Sequence, residues 1–266
     1  MNSLFAYEFM KRAFVAVLLI APLYGLVGTM IVQKKMAYFS DALGHSALTG
    51  IAIGVIFGIA DTTISMVIFA VCFALLLNAI SRKGLSSTDT LISVFASCAT
   101  AVGLAILSKG GSFSNYSALL VGDILAITWV EIAELVGLFV IILVFWWFAI
   151  NRLTAISIHA SLAKSKSISV RLMEDAFAVL IALLVMLSIR WVGILIINAL
   201  LIIPAASSRN ISTNMREYTW FAVLFSVFSG LVGLIVSYYT DMATGPMIVV
   251  IASVIYFGTY LYGKDN

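Results

Sequence analysis

Apolar residues fill this chain in long blocks, separated by short polar or charged breaks. The blocks run near residues 14–32, 42–60, 63–80, 90–108, 130–150, 217–239 and 243–262. Each approaches the ~20 residues a helix needs to cross a bilayer, so each predicts a transmembrane helix. One further block, 175–205, is longer and carries Arg190-Trp191. As one helix of about 31 residues it would reach about 46 Å, against a hydrocarbon core of about 30 Å. It therefore reads as a strongly tilted helix or as two shorter spans. Residues 109–128 are mixed: turn residues from Lys109 to Tyr116, then an apolar stretch interrupted by Asp123. That pattern is too short and too broken for a span. It predicts a loop and a short segment dipping into the protein near 113–128.

The basic residues help to choose a span count. With two spans in 175–205 there are nine, and the N-terminus lies outside. Lys34, Lys35, Arg82, Lys83, Arg152, Lys164, Lys166, Arg171, Arg209, Arg216 and Lys264 then fall inside, 11 of 15 Lys and Arg. Lys11, Arg12, Lys109 and Arg190 remain outside. With one span the split is 8 to 7, with no bias. Since cytoplasmic loops collect Lys and Arg, nine spans are favoured and eight are the alternative.

Composition removes any soluble reading. The 266 residues are 63% hydrophobic and 10% charged, with a mean hydropathy of +1.15. Soluble domains carry about 25% charged residues. The expected fold is all-α: a polytopic transmembrane helical bundle of eight or nine spans. No soluble domain, low-complexity tract or clear internal repeat interrupts 1–266, so it reads as a single transmembrane domain. The net charge of +3 is too small to suggest a nucleic-acid partner. Lys11-Arg12 before an apolar run imitates a signal peptide, but 14–32 exceeds the 7–15 residues of an h-region and reads as a first span. Cys72 and Cys98 lie in apolar blocks and are expected to be packed thiols.

Enzyme motifs are missing. There is no G-x-x-x-x-G-K-[ST] phosphate loop, no H-E-x-x-H and no G-x-S-x-G. Gly122-Asp123 is like part of an intramembrane aspartyl protease motif, yet residue 120 is Leu120 and no second carboxylate has a matching context.

The segment from Met36 to Gly50 carries the candidate chemistry. Asp41 and His45 stand four residues apart, on one face of a helix and one turn from each other. Both ligate divalent metals, and both are costly inside a membrane. Two ligands are too few for a tight site, but a transport pathway needs a site that can be left. A homodimer with its two-fold axis beside this helix would supply two Asp and two His. The competing reading makes Asp41 the N-cap of the helix and His45 a packing residue. Ser46, Gly50, Gly54 and Gly58 recur at four-residue spacing, a stripe suited to close helix packing. It lies about 100° around the helix from His45.

Residues 151–171 are polar and basic, the longest inner connection. Its middle (His159, Ala160, Ser161, Leu162, Ala163, Lys164, Ser165, Lys166, Ser167) suits a short helix. A docking surface for a cytosolic partner and a merely solvated loop account for it equally well.

Three stretches resemble the permease subunits of the zinc- and manganese-type ABC importers: Met36 to Gly50, Gly84-Leu-Ser-Ser-Thr-Asp89-Thr-Leu-Ile, and Val192 through Pro204-Ala-Ala. Gly122-Asp123-Ile-Leu-Ala is similar to a further family segment. The matches are in order and span nearly the whole chain. The resemblance implies a multi-pass permease of the bacterial inner membrane, working as a homodimer without an ATPase of its own. Two cytosolic ATP-binding subunits would drive it, and an extracytoplasmic metal-binding protein would deliver the ion. It implies metal handling by Asp41 and His45, and ATPase coupling by residues 159–167, the core of a loop at 152–171. There His159, Ala160 and Ser167 replace the family's Asp, Pro and Gly, and Ser40 replaces a Gly. Zinc is the expected cargo, with no permanent cofactor; manganese or iron is the alternative. A gradient-driven secondary transporter using Asp41 and Asp123 is the rival of a different class.

Overall fold

The computed structural model describes residues 7–59, 61–82, 88–109, 122–165 and 168–264. Every regular element among them is a helix. In chain order these are α1 (Glu8–Gln33), α2 (Ala37–Ile56), α3 (Thr62–Ser81), α4 (Thr88–Lys109), a 3-10 turn (Ile124–Ala126), α5 (Trp129–Ile158), α6 (Ala160–Ser165), α7 (Val170–Val192), α8 (Ile194–Ile211), α9 (Met215–Thr240) and α10 (Thr244–Lys264). Among the described residues, 8 helices are long and apolar enough to cross a membrane. The helix α8, with 18 residues, is outside that set. At 1.5 Å per residue it is about 27 Å long.

The long apolar block resolves into two helices. Gly193 separates α7 from α8 with φ 79° and ψ 161°, backbone that side-chain-bearing residues avoid. Its carbonyl accepts the first helical hydrogen bond of α8, from Ile197 N–H at 3.3 Å.

The helices group into two compact units. The first holds residues 1–34, 121–145 and 190–266, hence α1, the 3-10 turn, most of α5, and α8 to α10. In it α1 packs on α8 and α9, and α10 packs on the same two helices. Tyr218, at the start of α9, donates from its hydroxyl to the carbonyl of Thr29, near the end of α1, at 3.2 Å. Asn210, near the end of α8, donates to Thr259, near the end of α10, at 3.3 Å. These bonds fasten the end of α1 to the start of α9, and the end of α8 to the end of α10.

The second unit holds residues 35–120 and 146–189. There α2 packs on both α3 and α4. The helix α5 runs beyond the expected end at 150 because Ala149, Leu153 and Ile156 keep a helical period and are buried. Cys72 and Cys98, expected to be packed, are instead exposed free thiols on α3 and α4. These helices turn apolar side chains outward, such as Ile64, Ile68 and Val94, so an apolar neighbourhood in the sequence is no sign of a protein core.

Of the expected dipping segment, 113–121 lies outside the described residues. The described part is anchored. Asp123 accepts from Leu125 N–H at 3.0 Å, and Ile124 and Ile127 are buried.

Candidate functional site

The helix α2 starts earlier than its apolar block. Lys35 takes a left-handed conformation (φ 58°) and turns the chain. Met36 is the N-cap, with no side-chain bond to the helix. Asp41 is thus inside α2, in its second turn, and the capping alternative fails on position.

From Phe39 to Ala52 every residue of α2 is buried except two, Asp41 and His45. Their side chains are 46% and 56% exposed. Between 39 and 52 the helix therefore opens its buried surface only at this carboxylate and this imidazole. His45 Nε2 lies 3.6 Å from Asp41 Oδ1. Two ligands bound to one zinc at about 2.1 Å, with tetrahedral angles, have donor atoms about 3.4 Å apart. The separation of this pair is close to that spacing. Among the described residues, no three or more His, Cys, Asp or Glu gather into a metal-holding group. One chain presents two donors here.

The stripe beside the pair divides in two. Ser46 is buried and donates to Leu43 O at 3.0 Å. A Cβ on Gly50 would stand 2.8 Å from Met66 Cα of α3, and one on Gly54 would meet the Ser65 side chain. These two glycines let α3 approach. Gly58 differs: it lies past the end of α2, at φ +64°, with nothing within 4 Å of a built Cβ. Ile59 N–H bonds back to Gly54 O at 2.9 Å and Gly58 N–H to Val55 O at 3.3 Å. This is a helix-ending glycine turn, not a packing contact. A second close packing of α2, one turn on from His45, went unseen in the sequence. There Thr49 donates to Ala99 O of α4, and a Cβ on Gly103 would stand 2.6 Å from Thr49 N. A single glycine in an apolar run carries no periodic signal.

The segment 159–167 contains α6, a six-residue helix. His159 Nδ1 and Ser161 Oγ share a hydrogen bond of 2.9 Å. Ala163 is buried, while His159, Ser161 and Ser165 are exposed. Ile168 N–H bonds to Ala163 O at 3.2 Å and ties the segment to the approach of α7. Lys166 and Ser167 lie outside the described residues, as do the side chains of Ala160, Leu162 and Lys164.

Known proteins place this architecture. A sequence family described as the ABC 3 transport family matches residues 6–263. The high-affinity zinc uptake system membrane protein ZnuB of Haemophilus influenzae is 29% identical over 267 residues, covering 98% of this chain and 99% of that protein. The manganese transport system membrane protein MntC of Listeria innocua is 26% identical over 270 residues, covering 100% of this chain and 95% of that one. Among solved structures, PsaBC from Streptococcus pneumoniae in complex with Fab superposes with a TM-score of 0.83 at 25% identity, covering 96% of this chain and 91% of that one.

Proposed function

The chain belongs to the ABC 3 transport family, and on that premise we propose that it is the membrane permease of an ATP-driven zinc importer. The whole chain acts as one permease domain and pairs with a second copy in the bacterial cytoplasmic membrane. Two cytosolic ATP-binding subunits supply the energy, and an extracytoplasmic metal-binding protein delivers the ion. The observation that carries the metal reading is the Asp41–His45 pair, the only opening in a buried run of α2 and spaced at 3.6 Å.

Two copies would offer two carboxylates and two imidazoles, the four-donor set zinc accepts. Each half alone is a weak chelate, so the ion enters when the halves converge and leaves when they part. Closure of the ATP-binding subunits acts on residues 159–167 and moves the helices that follow. Manganese also accepts a mixed nitrogen and oxygen set, and the MntC relative favours it as the second reading.

Uptake of zinc and of manganese in cells lacking their own importers tests this. The chain is expressed with its ATP-binding subunit and carrier, as wild type and as His45→Ala. Zinc uptake lost in the variant is expected. Manganese uptake in its place changes the ion and keeps the machine. Uptake by the chain alone in ATP-free vesicles under an ion gradient overturns the reading in favour of a secondary transporter.

A further inference from the structure

The inner ends of α3 and α7 are joined by a polar cluster that the metal pair does not need. Asp175, in the second turn of α7, pairs through Oδ1 with Arg82 Nη2 at the end of α3. Asn78, one turn before Arg82, donates from Nδ2 to the same Oδ1 at 3.2 Å and to Glu174 O at 3.3 Å. Arg82 also donates from Nε to Asn78 O at 3.0 Å, which stiffens the last turn of α3. Arg171 Nε stands 4.0 Å from the other oxygen, Oδ2. The Arg82 and Asp175 side chains are 29% and 26% exposed, so water screens the pair only partly.

The placement gives the cluster a task. Asp175 follows closely on the inner segment that contains α6, to which the chain is tied through Ile168 and Ala163. The helix α3 that receives the pair packs against α2 at Gly50 and Gly54. A push on the inner segment therefore reaches the start of α7 along the chain, crosses to α3 at Asp175, and is delivered to the helix bearing Asp41 and His45. All of these residues lie in one compact unit. Charge-assisted bonds suit such a joint, because they hold direction as well as distance.

We propose that Asp175, with Arg82 and Asn78, is the positioning joint that passes movement of residues 159–167 to α3 and so to the metal pair on α2. This rests on the permease reading above. Its test uses proteoliposomes of the assembled transporter with its ATP-binding subunit and carrier, and reads zinc uptake and ATP hydrolysis together. Asp175→Ala is expected to lower the ions moved per ATP about tenfold, within the range of couplings between linked sites, while hydrolysis stays within about twofold. The exchange Arg82→Asp with Asp175→Arg is expected to recover most of that ratio; a fall in the ratio at preserved hydrolysis is what a merely structural role would not give. Asp175→Asn, similar in size, gives the same reading in milder form if the alanine variant does not fold. An unchanged ratio in both single variants overturns the joint, as does a joint fall of uptake and hydrolysis that the exchange does not repair. A wild type that hydrolyses ATP without moving zinc or manganese overturns the permease reading itself, and the joint with it.

Discussion

Gly122 and Gly193 meet backbone to backbone: a Cβ on Gly122 would overlap the amide nitrogen of Gly193. Both have positive φ, 65° and 79°. The contact holds the segment before α5 against the break between α7 and α8. The carboxylate of Glu131 binds Thr128 through N–H and hydroxyl, both at 2.9 Å, and comes within 4.0 Å of Arg190. The break and the start of α5 are thus fastened at two points.

Gly193→Ala is expected to destabilise by about 1–3 kcal/mol, because its backbone lies in a region nearly reserved for glycine. Gly122→Ala adds an overlap to the strain and should cost at least as much. Gly258→Ala, on α10, is the control: a Cβ there meets nothing within 4 Å. It removes the roughly 1 kcal/mol that a helical glycine costs, so it should be neutral or stabilising. Thermal unfolding in detergent checks all three. A loss at Gly122→Ala no larger than that at Gly258→Ala would remove the Gly122–Gly193 contact from the account.

Removing the Asp41–His45 pair should spare the fold. Asp41 and His45 are about half exposed, and exposed substitutions usually shift stability by no more than about 0.5 kcal/mol. Asp41→Ala and His45→Ala are therefore expected to unfold near the wild-type temperature while losing transport. A large stability loss from His45→Ala would make it a packing residue and undo the metal assignment.

The glycine stripe makes an ordered prediction. Gly50→Val and Gly54→Val force α3 away from α2 and should cost about 1–3 kcal/mol each, as overpacking does. Gly58→Ala keeps the packing and pays only for positive φ, about 1 kcal/mol. Gly58→Asn should be milder still, since Asn tolerates that conformation. A series of unfolding midpoints in detergent decides the order.

Legibility followed the physics of each signal. Most spans were readable because a helix crossing lipid must be apolar over its whole length, and the block edges fell close to the helix ends in α3, α4, α9 and α10. The start of α2 was hidden: the chain turns at Lys35, a positive-φ residue that no glycine marks. Gly193 was hidden for the opposite reason, since one glycine in an apolar run looks the same whether it packs a helix or breaks it. Asp41 and His45 were readable as a pair because four-residue spacing is a local property. Their isolation as the only gaps in a buried run was not, because it depends on where α3 and α4 come to rest. Arg82 and Asp175 stand 93 residues apart. No local pattern in either neighbourhood points to the other.

The helix ends around Tyr218 in the first unit supply a last prediction. Tyr218 is buried, its hydroxyl on Thr29 O and its own carbonyl accepting from Ser208 Oγ at 2.7 Å. Tyr218 thus links α1, α8 and α9 at one level. Tyr218→Phe removes one bond and leaves the ring, so it should cost about 1 kcal/mol. Ser208→Ala removes the other bond with a comparable loss. Because the two bonds share a residue, the double variant should depart from additivity by about 0.5 kcal/mol or more. A double-mutant cycle on unfolding measures this. Strict additivity would mean that the three helices are fastened independently, and that Tyr218 is not their common point.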